Sequence, residues 1–421
     1  MTASAATAVQ PNDPPPEKVG IGGAAREYVD RVRGGDVGAL PAVLGLAVLI
    51  TVFAILRPVS FTNAFNFANL IHQAAAVIVI AMGLVFVLLL GEIDLSAGFT
   101  AGTAAAIMGI AATRNDWPWW AAVLACLATG AVVGTCIGLL VARLGIPSFV
   151  VTLAAFLGLQ GVLLKLIGEG GTIPIRDDVL LAINNEDLPV WLGWALYAVT
   201  VGLFAAVLLR RYAGRRASGL PTQGMPVVLV KIGSVALLLG LATLFLSRER
   251  SRNPEAASIK GLPMVVLLLL VLLVVLTFLL SRTPFGRHVY AVGGNTEAAR
   301  RAGINVWKVK LICFVISSSL AAVGGIMLAS RDNSISPTTG GASTLLYAVG
   351  AAVIGGTSLF GGKGRVIDAI LGGLVIAVII NGMGLLNQPS SVVFIVTGIV
   401  LLVAASVDAL SRRRAASSGR V

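Results

Sequence analysis

Three kinds of polar residue interrupt an otherwise apolar chain, and each type suggests a chemistry. Glu92 and Asp94 lie in Gly91–Gly98, directly after the apolar run Ala74–Leu90. Carboxylates at membrane depth are expensive, so they mark a pathway, a partner or a proton site. A capping role competes with that reading, since Asp94 and Ser96 precede a helix starting at Ala97 and can accept backbone N–H groups there. The isolated polar groups His72, Gln73, Gln160, Lys165, Ser317–Ser319 and Asn381 form the second kind. Gln160 and Asn381 are the best placed to face a polar cavity, because an amide both donates to and accepts from a hydroxyl. Each can equally bond a neighbouring helix, and Lys165 sits where a long side chain reaches the membrane interface.

The third is the segment TPFGRHVYAVGGNTEAARRAGINVWKVK, residues 283–310, a basic and polar loop between long apolar runs. Asn295 is a good N-cap, Glu297 lies in the first turn where the helix dipole favours an anion, and Gly303 is placed to end the helix. Ala298, Ala299 and Ala302 give this short helix a low-relief face, and Arg300 and Arg301 give it charge. Two partners suit it: a groove on another protein, or anionic lipid.

These residues need elements to hold them, and composition says which. The 421-residue chain is 57% hydrophobic and 12% charged, whereas soluble domains carry about 25% charge. Runs such as Ala39–Leu56 and Pro263–Leu280 approach the ~20 residues that cross a hydrocarbon core. They do not alternate as barrel strands would. The expectation is an all-α polytopic membrane protein with about 12 spans, near 39–57, 67–90, 97–113, 118–142, 147–168, 189–209, 226–246, 262–280, 310–330, 343–360, 366–386 and 391–409. Ordering costs more than residues 1–38 can recover from their few apolar groups, so they read as a disordered leader. Residues 39–410 are expected to form the membrane-spanning domain, with a polar loop at 281–310, and 411–421 are a basic tail.

The net charge of +12 reports orientation and does not point to nucleic acid. With both termini in the cytoplasm, clusters at Arg210–Arg216, Arg282–Lys310, Lys363–Arg365 and Arg412–Arg414 all lie inside, and Asp177, Asp178, Glu186 and Asp187 lie outside. One loop breaks the rule: Arg248, Arg250, Arg252 and Lys260 face outward. GEIDLSAG at 91–98 and GGTSLFGG at 355–362 share Gly, Leu and Gly at equal offsets. This echo suggests two related halves in parallel orientation, with helix breaks at Gly91, Gly98, Gly355 and Gly362. Gly130, Gly134 and Gly138 form one flat stripe for close helix packing.

Several classes are excluded. A phosphate loop needs GxxxxGK[ST], and Lys363 is followed by Gly364. The three cysteines have no paired spacing, and two histidines cannot build a metal cluster, so neither a metal site nor a catalytic triad is expected.

GLVFVLLLGEIDLSAG, LGIPSFVVTLAAFLGLQG, TPFGRHVYAVGGNTEAARRAGI and AAVIGGTSLFGGKG, in this order, resemble the permease subunits of bacterial ABC importers for monosaccharides. The resemblance covers about Asn66 to Asp408 and is closest to xylose-type permeases within the ribose/xylose/galactose group. It implies that Asn295, Glu297, Ala298, Ala299, Arg300 and Gly303 form a coupling helix that docks on an ATPase subunit. It implies a translocation route near Gly91–Gly98 and Gly355–Gly362, with Glu92, Asp94, Gln160 and Asn381 as polar candidates. It further implies a second permease copy, an extracytoplasmic sugar-binding protein, and ATP with Mg held by the partner and no cofactor on this chain. A proton-coupled secondary transporter using Asp94 or Glu92 is the alternative.

Overall fold

A computed structural model describes residues 38–417 except 220, 221, 223, 252, 256 and 257, and before them Gly22, Gly23, Arg26 and Asp30. Most of the expected leader lies outside the described residues, as do Arg252 and the side chains of the basic tail.

Each of the twelve apolar stretches falls on a helix, because a backbone in lipid must satisfy its polar groups within its own segment. In chain order these are α1 (Leu40–Leu56), a single turn α2 (Pro58–Phe61), α3 (Ala64–Leu89), α4 (Ala97–Gly109) continued by a π turn (Ile110–Arg114), α5 (Trp119–Ala142) and α6 (Ser148–Ile167). Then follow β1 (Ile173–Pro174), α7 (Asp178–Asn185), β2 (Asp187–Leu188), α8 (Val190–Ala217), α9 (Met225–Leu246), β3 (Leu262–Pro263) and α10 (Met264–Arg282). The remainder comprises α11 (Pro284–Gly294), α12 (Thr296–Arg301), α13 (Val306–Asp332), β4 (Ser334–Ile335), α14 (Ala342–Gly355), α15 (Val366–Leu385) and α16 (Ser390–Ser417). Nine of the described helices are long and apolar enough to cross a membrane, and α1 and α14 are apolar but shorter.

The core is built on α3, buried over most of its length, with α13 and α15 buried over more than half. Glycines explain how closely they pack. On α5 the stripe packs closely on a neighbour, which is α13: a Cβ at Gly130 would lie 2.8 Å from Ala322, one at Gly134 2.7 Å from Val315, and one at Gly138 2.7 Å from Leu311. These contacts run in opposite senses along the two helices, so α5 and α13 are antiparallel. Gly83 against Ser317 and Gly324 against Ile80 set α3 antiparallel to α13 in the same way.

One face of the bundle carries α12 and the basic residues after α8 and α10, and the two short sheets lie at the other. There β1 pairs antiparallel with β4 and β2 with β3. The basic loop that breaks the charge rule sits at this second face, and one of its cations, Arg250, is paired. Arg250, its side chain fully enclosed, donates to Asp187 at 2.6 Å, while Glu249 accepts from Ser251 N, Ser258 Oγ and Ile259 N. Those hydrogen bonds hold the Glu249 carboxyl at about 2, well below the ordinary glutamate value.

Two long helices end in breaks from which a short helix starts back inside the bundle. After α3 the chain breaks at Leu90–Ser96 before α4, and after α13 it breaks from Asn333 to Gly341 before α14. The short helices start side by side, with a Cβ at Gly98 only 2.9 Å from the Gly341 carbonyl oxygen and 3.0 Å from Leu345. Non-helical backbone at this depth is tolerated because protein surrounds it. Because α3 and α13 are antiparallel, these two units are inverted relative to one another. The expected parallel echo at 91–98 and 355–362 also has both copies at one face and in contact, Gly91 lying against Phe360.

The expected break positions need correction. Gly91 (φ +74°) and Gly362 (φ +72°) adopt the left-handed backbone of a break. Gly98 and Gly355 lie within α4 and α14, where their missing side chains admit the backbone of Gly341 and of Asp368.

Candidate translocation cavity and coupling corner

Between α3, α13, α14 and α15 lies a cavity of about 550 Å³ near the face that bears the short sheets. On α3 the amides Asn66, Asn69 and Gln73 recur at helical spacing and form one polar stripe along it. Arg331 and Asp332 close the end of α13, Thr344 and Tyr347 come from the first two turns of α14, and Asn381 comes from α15. Val77, Leu328, Ile376 and Ile380 supply apolar wall. The volume lies within the range of small-ligand sites, and convergent polar groups on an apolar wall are their usual lining.

Asn66 and Asn381 form a reciprocal amide pair, each Nδ2 donating to the other's Oδ1 at 2.9 Å. Asn66 Nδ2 also donates to the Phe61 carbonyl at 3.2 Å. Asn381 therefore both lines the cavity and bolts α15 to α3, uniting the two readings open for it. The Gln73 Oε1 atom is buried without a partner, an acceptor available to a hydroxyl.

The other expected pathway residues lie elsewhere. Asp94 is buried beside α13, where its carboxylate accepts from Ser96 N (3.0 Å), Ser96 Oγ (2.6 Å) and Ser317 Oγ (2.9 Å). It braces the break against α13, while Ser96, at the N-cap of α4, makes no side-chain cap. Glu92 pairs with Lys310 at the start of α13. Ser148 Oγ accepts from Ile93 N at 3.3 Å, and Thr152 Oγ1 donates to Ile93 O at 3.2 Å, so α6 holds the same break. Gln160 is exposed on α6 and does not line the cavity.

At the opposite face the segment 283–310 is two helices meeting at a corner. The sequence predicts a loop over residues 284–294, yet they form α11. Thr283 caps it by accepting from Gly286 N at 3.3 Å, and Pro284 occupies its first turn. The following helix, α12, is capped as expected, Asn295 Oδ1 accepting from Ala298 N at 2.9 Å. Glu297 pairs with Arg300 (2.9 Å) and Arg301 (3.3 Å) on its exposed side, and Gly303 leaves the helix at φ +83°. Ala299 is turned inward at 4% exposure, so the outward face consists of Glu297, Ala298, Arg300, Arg301 and Ala302.

Residues 66–405 match the model of a family described as branched-chain amino acid transport system / permease component. The chain belongs to this permease family. It is 35% identical over 355 residues to the xylose transport system permease protein XylH of Escherichia coli K12, covering 84% of this chain and 87% of that one. The Haemophilus influenzae XylH is 33% identical, with 88% and 96% covered. The ribose import permease protein RbsC of Escherichia coli K12 is 31% identical, with 87% and 92% covered. No solved structure matches. As a family member the chain is a transport subunit, and among its described residues no cluster of His, Cys, Asp or Glu is arranged to hold a metal ion.

Proposed function

We propose that this permease moves a monosaccharide, a pentose such as xylose, across the bacterial inner membrane as part of an ATP-driven importer. The observation that carries the reading is the amide-lined cavity beside α3 and α15. Its polar groups are mostly uncharged amides and hydroxyls, which suit sugar hydroxyls. A branched-chain amino acid, the cargo in the family's description, would ask for an apolar pocket with a paired ammonium and carboxylate site. Arg331 and Asp332 could supply such charges, so cargo identity is decided by uptake competition: xylose and ribose are expected to compete, leucine and valine not.

The energy comes from a separate ATPase that holds ATP and Mg and docks on Asn295–Gly303. Arg300 and Arg301 present the cationic side of that contact. On this reading both termini and α12 lie in the cytoplasm and the cavity mouth opens outside, where a sugar-binding protein delivers cargo to two permease copies. The proton-coupled alternative lacks support, since Asp94 is enclosed by three hydrogen bonds and Glu92 is held by Lys310. Uptake should survive a protonophore and stop on ATP depletion; the reverse pattern would overturn the proposal.

A further inference from the structure

Three stretches of backbone meet beneath the α11–α12 corner with no side chain between them. A Cβ on Gly293, in the last turn of α11, would overlap the Leu89 carbonyl at the end of α3 and approach Gly362 N at 2.9 Å. Gly362 N itself donates to Leu89 O at 2.9 Å. Gly361, at φ +84°, sits where a Cβ would be 2.9 Å from both the Gly293 carbonyl oxygen and Gly91 N. Two side-chain ties flank this contact: Tyr290 Oη donates to the Gly364 carbonyl at 2.7 Å, and Lys310 pairs with Glu92.

We infer that Gly293 and Tyr290 are positioning residues of a coupling junction, which delivers movement of the α11–α12 corner to both glycine-rich breaks at once. A layer of side chains would absorb part of a displacement by changing rotamers, whereas backbone in van der Waals contact with backbone transmits it. One output of the junction is the end of α3, and α3 carries Asn66, Asn69 and Gln73 into the cavity. The other is the 356–364 loop, joined to α15 through the Arg365–Asp368 capping box, and α15 carries Asn381. A push at α12 thus reaches both helices that the Asn66–Asn381 pair ties together. The glycines are there because the junction has no room for anything larger.

This inference rests on the reading that α12 docks an ATPase, and the test separates the two. Tyr290→Phe and Gly293→Ala are assembled with the ATPase and binding protein in vesicles, and ATP hydrolysis and xylose uptake are measured on the same preparation. Tyr290→Phe is expected to bind the ATPase and hydrolyse ATP at the wild-type rate while uptake per ATP falls at least about fivefold, the lower end of typical coupling effects. Gly293→Ala should lose more. Should Gly293→Ala fail to assemble, Tyr290→Phe carries the test, since it removes a single oxygen. An unchanged ratio of uptake to ATP in Tyr290→Phe overturns the junction, whether or not the amount of complex drops. Arg300→Glu, run in parallel, addresses docking alone: normal capture of the ATPase by that variant contradicts the docking reading.

Discussion

Asn381 shows how one side chain can serve structure and transport together. Replacing it with Ala leaves the Asn66 amide without its partner, which costs about 1–3 kcal/mol, and also strips a polar group from the cavity. The double variant Asn66→Leu/Asn381→Leu removes both partners, so it should recover much of that stability while uptake stays low. Thermal unfolding and uptake measured together on the single and double variants separate the two roles. Asp94 behaves differently. Asn in its place keeps an acceptor for Ser96, so Asp94→Asn should retain uptake, and loss of uptake in a well-folded Asp94→Asn protein would restore a carboxylate to the mechanism. In the loop after α9, Arg250→Ala leaves the half-buried Asp187 without its cation, a loss of about 1–3 kcal/mol. Glu249 titrates near 2 in the folded chain, a depressed value. Its contribution is therefore complete above the ordinary glutamate range and fades only as pH falls towards 2. The amides of Ser251 and Ile259 should accordingly show equal exchange protection from pH 5 to 8, and Glu249→Gln should weaken it throughout.

Among the elements, the long helices are readable because an apolar run in lipid has one outcome, and the α12 cap is readable because Asn295, an acid at Glu297 in the first turn and Gly303 after the last turn form a local signal. What escaped were features set by distant partners. The α11 helix was hidden by its three glycines, although Thr283 followed by Pro284 is a start signal that could have revealed it. Gly98 and Gly355 looked like breaks because glycine is ambiguous in sequence, and only the neighbouring backbone shows that they are packing positions inside helices. The exposed side of Gln160 and the inward turn of Ala299 follow from which helix lies beside them, and spacing alone does not supply that. Of the stripe Asn66, Asn69 and Gln73 the sequence singles out only Gln73, although the three recur at helical spacing, and only their convergence with α13, α14 and α15 makes a cavity. Close packing at α4 is testable in the same terms. A Cβ at Gly102 would press on Leu163 at 2.9 Å and on the Thr339 backbone. The nearest obstacle is backbone, the Thr339 carbonyl at 2.1 Å, so Gly102→Val should cost at least about 3 kcal/mol, the upper end for overpacking, read as a lower unfolding temperature in detergent.

For the whole molecule, the polar cavity and the exposed α12 helix occupy opposite faces, and α3 and α15 run between them. Under the proposed function, that division lets an ATPase on one side act on cargo at the other without touching it. Purified permease in vesicles, with and without the ATPase companion, provides the most direct test, with labelled xylose uptake as the readout and the binding protein and ATP present throughout. Uptake is expected only when the companion is present, and it should vanish with Arg300→Glu. Accumulation of xylose by the permease alone would contradict the account.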